Sequence, residues 1–224
     1  MNIQKYIVQV AKYEHLSMAD EICYHMEESA KARGTGIAKR SPDYIVKKMI
    51  DGKAIVATDL SGNFVGFCYI ETWGHGQYVA NSGLIVHPEH RKSGVAKMIK
   101  EKVFELSRQI YPAAKIFGIT TSLAVMKINS DLGYKPVTFS ELTDDDQFWK
   151  GCSSCQNYDV LTRTNRKMCL CTGMMYDPEW EKEEKKKRWD FTKKSKIYER
   201  WLRLKERILY KNQIKKSTQL LVEA

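Results

Sequence analysis

No apolar run in this chain approaches the ~20 residues that a membrane-spanning helix needs, and Met1-Asn2-Ile3-Gln4-Lys5 lacks the apolar core of a secretion signal. The expectation is a cytoplasmic protein with no membrane partner, whose six cysteines stay reduced or bind metal rather than pair as disulfides. No internal repeat is visible, which excludes repeat architectures. The phosphate-cradling spacing Gly-x4-Gly-Lys-Ser/Thr is missing, so there is no P-loop. The chain is not short of hydrophobic residues either: at 43% they suffice for a core and exclude global disorder. Acidic charge is in deficit, with a net +10, but unevenly. Residues 179–224 carry 15 Lys and Arg against 8 Asp and Glu, while the first 178 carry 22 against 19. The basicity therefore belongs mostly to the tail and says little about the body.

The elements follow from local chemistry. Ile3 to Val10 reads as a strand, and Ser17 to Arg33 as a helix with acidic residues in its first turn and Gly34 as its stop. Ser41-Pro42-Asp43 starts a second helix with proline at its first position, ended by Gly52. Ala54 to Thr58 and Phe64 to Thr72 flank Asp59-Leu60-Ser61-Gly62-Asn63, a hairpin turn. Gly74-His75-Gly76 breaks before a strand over Val79 to Val86. Val95 to Arg108 reads as an amphipathic helix, Lys115 to Thr120 as a strand, Leu123 to Leu132 as a helix and Pro136 to Phe139 as a last strand. Thr143-Asp144-Asp145-Asp146 reads as an exposed acidic turn.

The most informative stretch is Gly83 to Ala96. An apolar strand (Leu84, Ile85, Val86) meets Pro88, and a basic turn, Arg91-Lys92-Ser93-Gly94, leads into the helix that begins Val95-Ala96. Backbone N–H groups at the positive end of a helix dipole, with Arg91 and Lys92 adding charge, form a ready phosphate site. A side chain at position 94 would hold a phosphate away from that backbone. Arg-x-x-Gly-x-Ala behind a strand ending Val-x-Pro resembles the acyl-coenzyme A signature of the GNAT N-acyltransferase superfamily. The order β-α-α-β-β-β-α-β-α-β matches that family over about residues 3–140.

The resemblance implies an α/β fold: a central, mixed and mostly antiparallel sheet flanked by helices, followed here by a C-terminal helical tail. It also implies an acyl-CoA co-substrate, acetyl-CoA first, and a small-molecule amine acceptor. In the family the pantetheine arm pairs with the strand before the phosphate turn, here Leu84 to Val86, and backbone N–H groups nearby polarise the thioester. A side-chain base must take the acceptor's proton; Glu71 at a strand end is the first candidate and His75 the second, the alternative for Glu71 being a solvated carboxylate. Counting back from Tyr134, the position where the family commonly has a tyrosine acid holds Asn129, which can hydrogen-bond a thiolate or pantetheine but cannot protonate it. The family's helix-start asparagine is Ser122 here. The loop Ala32 to Arg40 lies where the family admits the acceptor; Arg33 and Arg40 would grip carboxylates there, or belong to a plain basic surface.

Glu28-Ser29-Ala30-Lys31-Ala32-Arg33-Gly34-Thr35-Gly36-Ile37-Ala38, Trp73-Gly74-His75-Gly76, Ala124 to Tyr134 and Phe148-Trp149-Lys150-Gly151-Cys152 are similar to one branch, the bacterial acyltransferases that accompany arginine-biosynthesis enzymes. That resemblance implies glutamate as acceptor. N-acetylation of a protein or another amine, and a non-catalytic acyl-CoA-binding module, stay open beside it.

Cys152-x2-Cys155 and Cys169-x-Cys171, with 13 residues between the pairs, are spaced for a tetrahedral, structural Zn²⁺, or are reduced structural thiols. Cys23 and Cys68 read as small core residues. The expected organisation is a catalytic core over 1–142, a Cys-rich segment over 143–178 and a basic helical tail over 179–224. In the tail Ile197, Trp201, Leu204 and Ile208 form an apolar stripe, suited to its own domain or to a second copy in a homodimer rather than to nucleic acid.

Overall fold

The computed structural model describes residues 5–34, 39–186, 196, 199–201 and 203–206. They divide into one compact unit, Met1–Pro178, and a second, Glu179–Ala224. The first holds seven strands and six α-helices: β1 (Tyr6–Val10), α1 (Ala19–Arg33), α2 (Pro42–Ile50), β2 (Ala54–Asp59), β3 (Phe64–Trp73), β4 (Tyr78–Val86), α3 (Val95–Ile110), β5 (Lys115–Thr120), α4 (Leu123–Asp131), β6 (Lys135–Val137), α5 (Asp146–Lys150), α6 (Tyr158–Arg163) and β7 (Thr172–Tyr176).

Local chemistry sets the ends. The Ser41 hydroxyl accepts from the Tyr44 N–H at 3.3 Å and Pro42 opens α2. Gly34, at φ +60°, closes α1 in the left-handed conformation. The strands form one sheet in the order β1-β2-β3-β4-β5-β7-β6. Every pairing is antiparallel except β4 with β5. Both faces are covered, so Ala54 to Ala57 and Phe64 to Ile70 are buried almost without interruption. Ile55, Ala57, Cys68 and Ile70 pack with α3 residues Val95, Ile99 and Val103 on one face. Val56, Phe67 and Tyr69 pack with Ile22 and Met26 of α1 and Ile45 and Met49 of α2 on the other. At ~1.5–3 kcal/mol per buried large apolar side chain, these two layers carry the unit.

Three local expectations change. The strand expected over Pro136 to Phe139 is shorter, because Phe139–Glu141 turns into a 3₁₀ segment held by a reciprocal Thr138–Glu141 cap. β7, unforeseen, inserts between β5 and β6; its Gly173-Met174-Met175 run pairs on both sides and, with Tyr176, is buried. The acidic turn is not simply exposed: Thr143 is buried, Asp145 caps α5 by accepting from the Gln147 N–H at 2.9 Å, and its other oxygen accepts from the Gly74 N–H at 3.3 Å.

In the second unit the described residues are helical, and Trp201 and Leu204 are exposed. Ile197 and Ile208 lie outside the described residues, as do Thr35 to Ala38 of the Arg-containing loop. No helix among the described residues is long and apolar enough to cross a membrane.

Candidate active site

A splay in the sheet makes the site. The parallel pairing of β4 and β5 runs only from Tyr78↔Lys115 to Ala80↔Phe117. β4 continues to Val86, while β5 continues against β7 as far as Thr120↔Thr172. From Asn81 onward, no strand among the described residues lies beside the edge of β4 that faced β5, and its peptide groups are available to a ligand. The register on the other side also shifts, from Phe67↔Ile85 to Tyr69↔Ser82. That bulge centres on Gly83, at φ +66°. A Cβ there would lie 2.5 Å from Tyr69 Cε1 and 2.7 Å from Met26 Cε, so any side chain would be strained and would force these neighbours to shift.

The resulting cleft encloses about 600 Å³. Asn81 to Leu84 of β4 form one wall and Ile119 to Ser122 with Val125 the other. Ser122 also caps α4, its hydroxyl accepting from the Val125 N–H at 3.4 Å. Phe148, Lys150, Tyr158 and the four cysteines of the 150–171 segment line it too.

One end of the cleft is polar. Glu71 is buried at 8% exposure; the Tyr44 hydroxyl donates to its Oε1 and Lys48 forms an ion pair with the same oxygen. Tyr44 and Lys48 stand one turn apart on α2, and Tyr69 and Glu71 alternate onto one face of β3. Arg40 Nε donates to the Tyr69 hydroxyl at 2.8 Å, and its guanidinium lies 5.0 Å from the Tyr44 ring centre. Burial first, and then the Glu71 carboxylate, push the Tyr44 phenol far above its ordinary value, so it stays a proton donor. Burial also raises Tyr69, with Arg40 pulling the other way. The arrangement holds a fixed carboxylate beside a fixed guanidinium, a pair suited to an ammonium and a carboxylate on one small molecule.

Past the other end of β4 lies the basic turn. Arg91 Nε donates to the Val86 carbonyl at 3.3 Å, and Ser93 Oγ donates to the His90 carbonyl. Gly94 precedes α3 at φ +88°, a conformation that favours glycine, and Lys92 takes φ +62°. The Gly94 carbonyl accepts from the N–H groups of Lys97 and Met98, which leaves those of Val95 and Ala96 at the free start of a 16-residue helix.

Of the residues expected at the site, Glu71, Arg40, Ser122, Leu84 and the four cysteines line the cleft. Ile85 points into the α1/α2 core and Val86 packs against the other. His75 is an exposed turn residue at φ +54° and does not line the cleft. Asn129 is buried at 2% exposure, with Oδ1 lacking a hydrogen-bond partner, and does not line it either. The Arg33 side chain lies outside the described residues.

The thiols of Cys152, Cys155, Cys169 and Cys171 are neighbours. Burial above all, then the other sulfurs, push Cys171 up to about 12 and Cys152 up to about 11. The sulfurs do not form a closed cage: the described residues with three ligand atoms within 4.8 Å of one another are Glu21, His25 and His87. Sequence reasoning missed Tyr44, Lys48 and Tyr69; helical and strand spacing align each pair, but nothing local says that the two pairs face each other.

Residues 23–123, which carry the open edge of β4, the basic turn and α3, match the profile of the acetyltransferase (GNAT) family. This part of the chain is a GNAT acetyltransferase domain. N-acetylglutamate synthase from Neisseria gonorrhoeae, complexed with coenzyme A and N-acetyl-glutamate, is similar at TM-score 0.54 and 13% identity, over 79% of this chain and 36% of that one. The chain thus spans about a third of that enzyme's length. A Mycobacterium tuberculosis protein in complex with CoA aligns at TM-score 0.55 and 15% identity, over 76% of this chain and 98% of that one. A phosphinothricin acetyltransferase from Sinorhizobium meliloti, in complex with acetyl-CoA, aligns at 0.53 and 13%, over 78% and 89%. At these identities the likeness is one of fold. No curated protein sequence matches the chain.

Proposed function

We propose that the chain is an acyl-CoA-dependent N-acyltransferase, with acetyl-CoA as donor and the amino group of a small acidic molecule as acceptor. The observation that carries this reading is β4. One strand offers an open backbone edge, runs into the basic turn at its far end, and pairs at Ala80 with Glu71 of the polar pocket. Along it, the pyrophosphate would lie on the N–H groups of Gly94, Val95 and Ala96. Pantetheine would follow the edge from Val86 toward Asn81, and the thioester would reach the bulge at Gly83. The acceptor would enter by Arg40, which takes its carboxylate, and Glu71 would receive a proton from its ammonium. The amine nitrogen then attacks the thioester carbon, the C–N bond forms, the nitrogen sheds its second proton to water, the C–S bond breaks, and coenzyme A leaves as thiolate. A thiol pKa near ~8.5 makes that a fair leaving group without a side-chain acid, so water can supply the proton. Glutamate is the acceptor that the branch resemblance implies, and Arg40 beside Glu71 suits an amino acid of that kind.

Turnover of acetyl-CoA with a panel of amino acids and amines, read as thiol release, tests the reading. Glutamate-selective turnover supports it. Activity on other amines alone replaces the acceptor, and coenzyme binding without turnover on any amine leaves a binding module. Gly94→Trp should abolish acetyl-CoA binding while circular dichroism stays native. Glu71→Gln should lower kcat by ~10²–10⁴ with little change in acetyl-CoA affinity.

We also carry as a proposal that Cys152, Cys155, Cys169 and Cys171 hold one structural Zn²⁺. Its support is the spacing of the two pairs and their gathering on one wall of the cleft. Closure would require the sulfurs to draw together from their present positions.

A further inference from the structure

Glu21 and His25 sit one turn apart on α1, and His87 stands where β4 ends and the basic turn begins. One ligand atom from each lies within 4.8 Å of the other two. The imidazoles are held by their surroundings. The His25 ring stacks on buried Phe64 at 5.8 Å and 19°, and meets His87 edge-on at 4.6 Å and 77°. The His87 backbone N–H donates to the Val65 carbonyl at 2.9 Å. His87 Nδ1 accepts from the Glu89 N–H at 3.4 Å, so coordination through Nε2 moves the ring proton to Nδ1 and gives up that long bond. The Glu21 carboxylate stands 3.8 Å from His25 Nε2, and it is exposed, so the cluster is reached from solvent.

We propose that Glu21, His25 and His87 form a binding site for a divalent transition cation of the zinc class. Two imidazoles and one carboxylate are the donors that such an ion takes, whereas Mg²⁺ and Ca²⁺ prefer an all-oxygen shell. Three protein ligands leave a coordination position open to water or to another ligand. Ligand distances of ~2.0–2.2 Å ask the donor atoms to draw closer together than they now stand. The site also has a neighbour. Arg91 is tied to Val86, the residue before His87, and belongs to the turn assigned above to the coenzyme's phosphates. A dication there adds positive charge beside that turn, so cation and coenzyme A each tighten the other's binding by the same factor. This second statement rests on the proposed coenzyme placement; the first does not.

The experiment uses the full chain, reduced and stripped of metal, titrated with Co²⁺ in the visible range and with Zn²⁺ by calorimetry. The expected result is saturable Co²⁺ binding with visible d–d bands that do not depend on thiolate ligands. His25→Ala and His87→Ala should each weaken it at least tenfold, and Cys171→Ser should leave it intact. Glu21→Gln, an isosteric change of an exposed side chain, serves as the variant that keeps the fold and should also weaken binding. Absence of saturable binding in the wild type, unchanged affinity in all three variants, or loss of the bands in Cys171→Ser would overturn the site. In a second arm, coenzyme A affinity is measured with and without saturating Zn²⁺. An unchanged affinity refutes the linkage. Failure to bind coenzyme A under either condition refutes the coenzyme placement and leaves the metal site standing.

Discussion

Gly83→Ala tests the bulge on which the cleft depends. Two costs add at this position. The backbone sits at φ +66°, where a residue with a Cβ pays ~1–2 kcal/mol relative to glycine. The new methyl would also stand 2.5 Å from Tyr69 Cε1 and 2.7 Å from Met26 Cε, both in well-packed core. Overpacking of that kind costs typically ~1–3 kcal/mol. The sum is ~2–5 kcal/mol, or a fall in melting temperature of ~4–20 °C for a unit of this size. Gly94→Ala is the matched control, because its φ is +88° but nothing lies within 4 Å of the added methyl. It should lose only the backbone cost, ~1–2 kcal/mol. Thermal and urea unfolding, followed by circular dichroism under reducing conditions, give the two values directly. The clash has a second readout. Relief of it moves Tyr69, whose hydroxyl holds Arg40, so surviving Gly83→Ala protein should show a raised acceptor KM. If both variants lose the same stability, or Gly83→Ala melts with the wild type, the described approach of α1 and β3 to the bulge is wrong.

Arg40→Ala should raise the acceptor KM by ~10–100-fold, as expected for loss of a charged hydrogen bond of ~1.5–3 kcal/mol, and leave the acetyl-CoA KM nearly unchanged; equal kinetics on the true acceptor would remove the acidic-substrate reading. Lys100→Met should raise the melting temperature at pH 7, since this lysine is 3% exposed and its ammonium faces the Tyr134 ring. Burial lowers the Lys100 pKa, so the unfolded chain holds the proton more tightly, and wild-type stability rises with pH toward the unfolded value near ~10.4. In Lys100→Met that rise should flatten; an unchanged pH slope would place the ammonium in water. Elemental analysis of freshly reduced protein reads the cysteine proposal: one Zn²⁺ lost in Cys169→Ser supports it, and four native thiols that react freely with a thiol reagent refute it.

The chain's own residues determined most of the elements, because their determinants are local. Pro42 behind Ser41, Gly34 after α1 and Gly94 before α3 mark helix ends by backbone conformation alone, and Arg91 to Ala96 sets a basic turn and a glycine at a helix start in six consecutive positions. β7 was hidden because Thr172 to Tyr176 is short and follows the cysteines, and its strand character comes from slots on β5 and β6 that exist only after folding. Glu71 and Arg40 could be picked as candidates by residue type and place. Their environment could not: whether a strand-end carboxylate is solvated or clamped depends on Tyr44 and Lys48, 27 and 23 positions away in sequence. The same holds for His25 and His87, which meet only because α1 lies across the end of β4. Periodicity and turn chemistry act over a few residues and are written in the chain; the splay between β4 and β5, the charge pairs in the cleft and the meeting of the histidines arise from packing between distant segments, which tertiary structure alone decides.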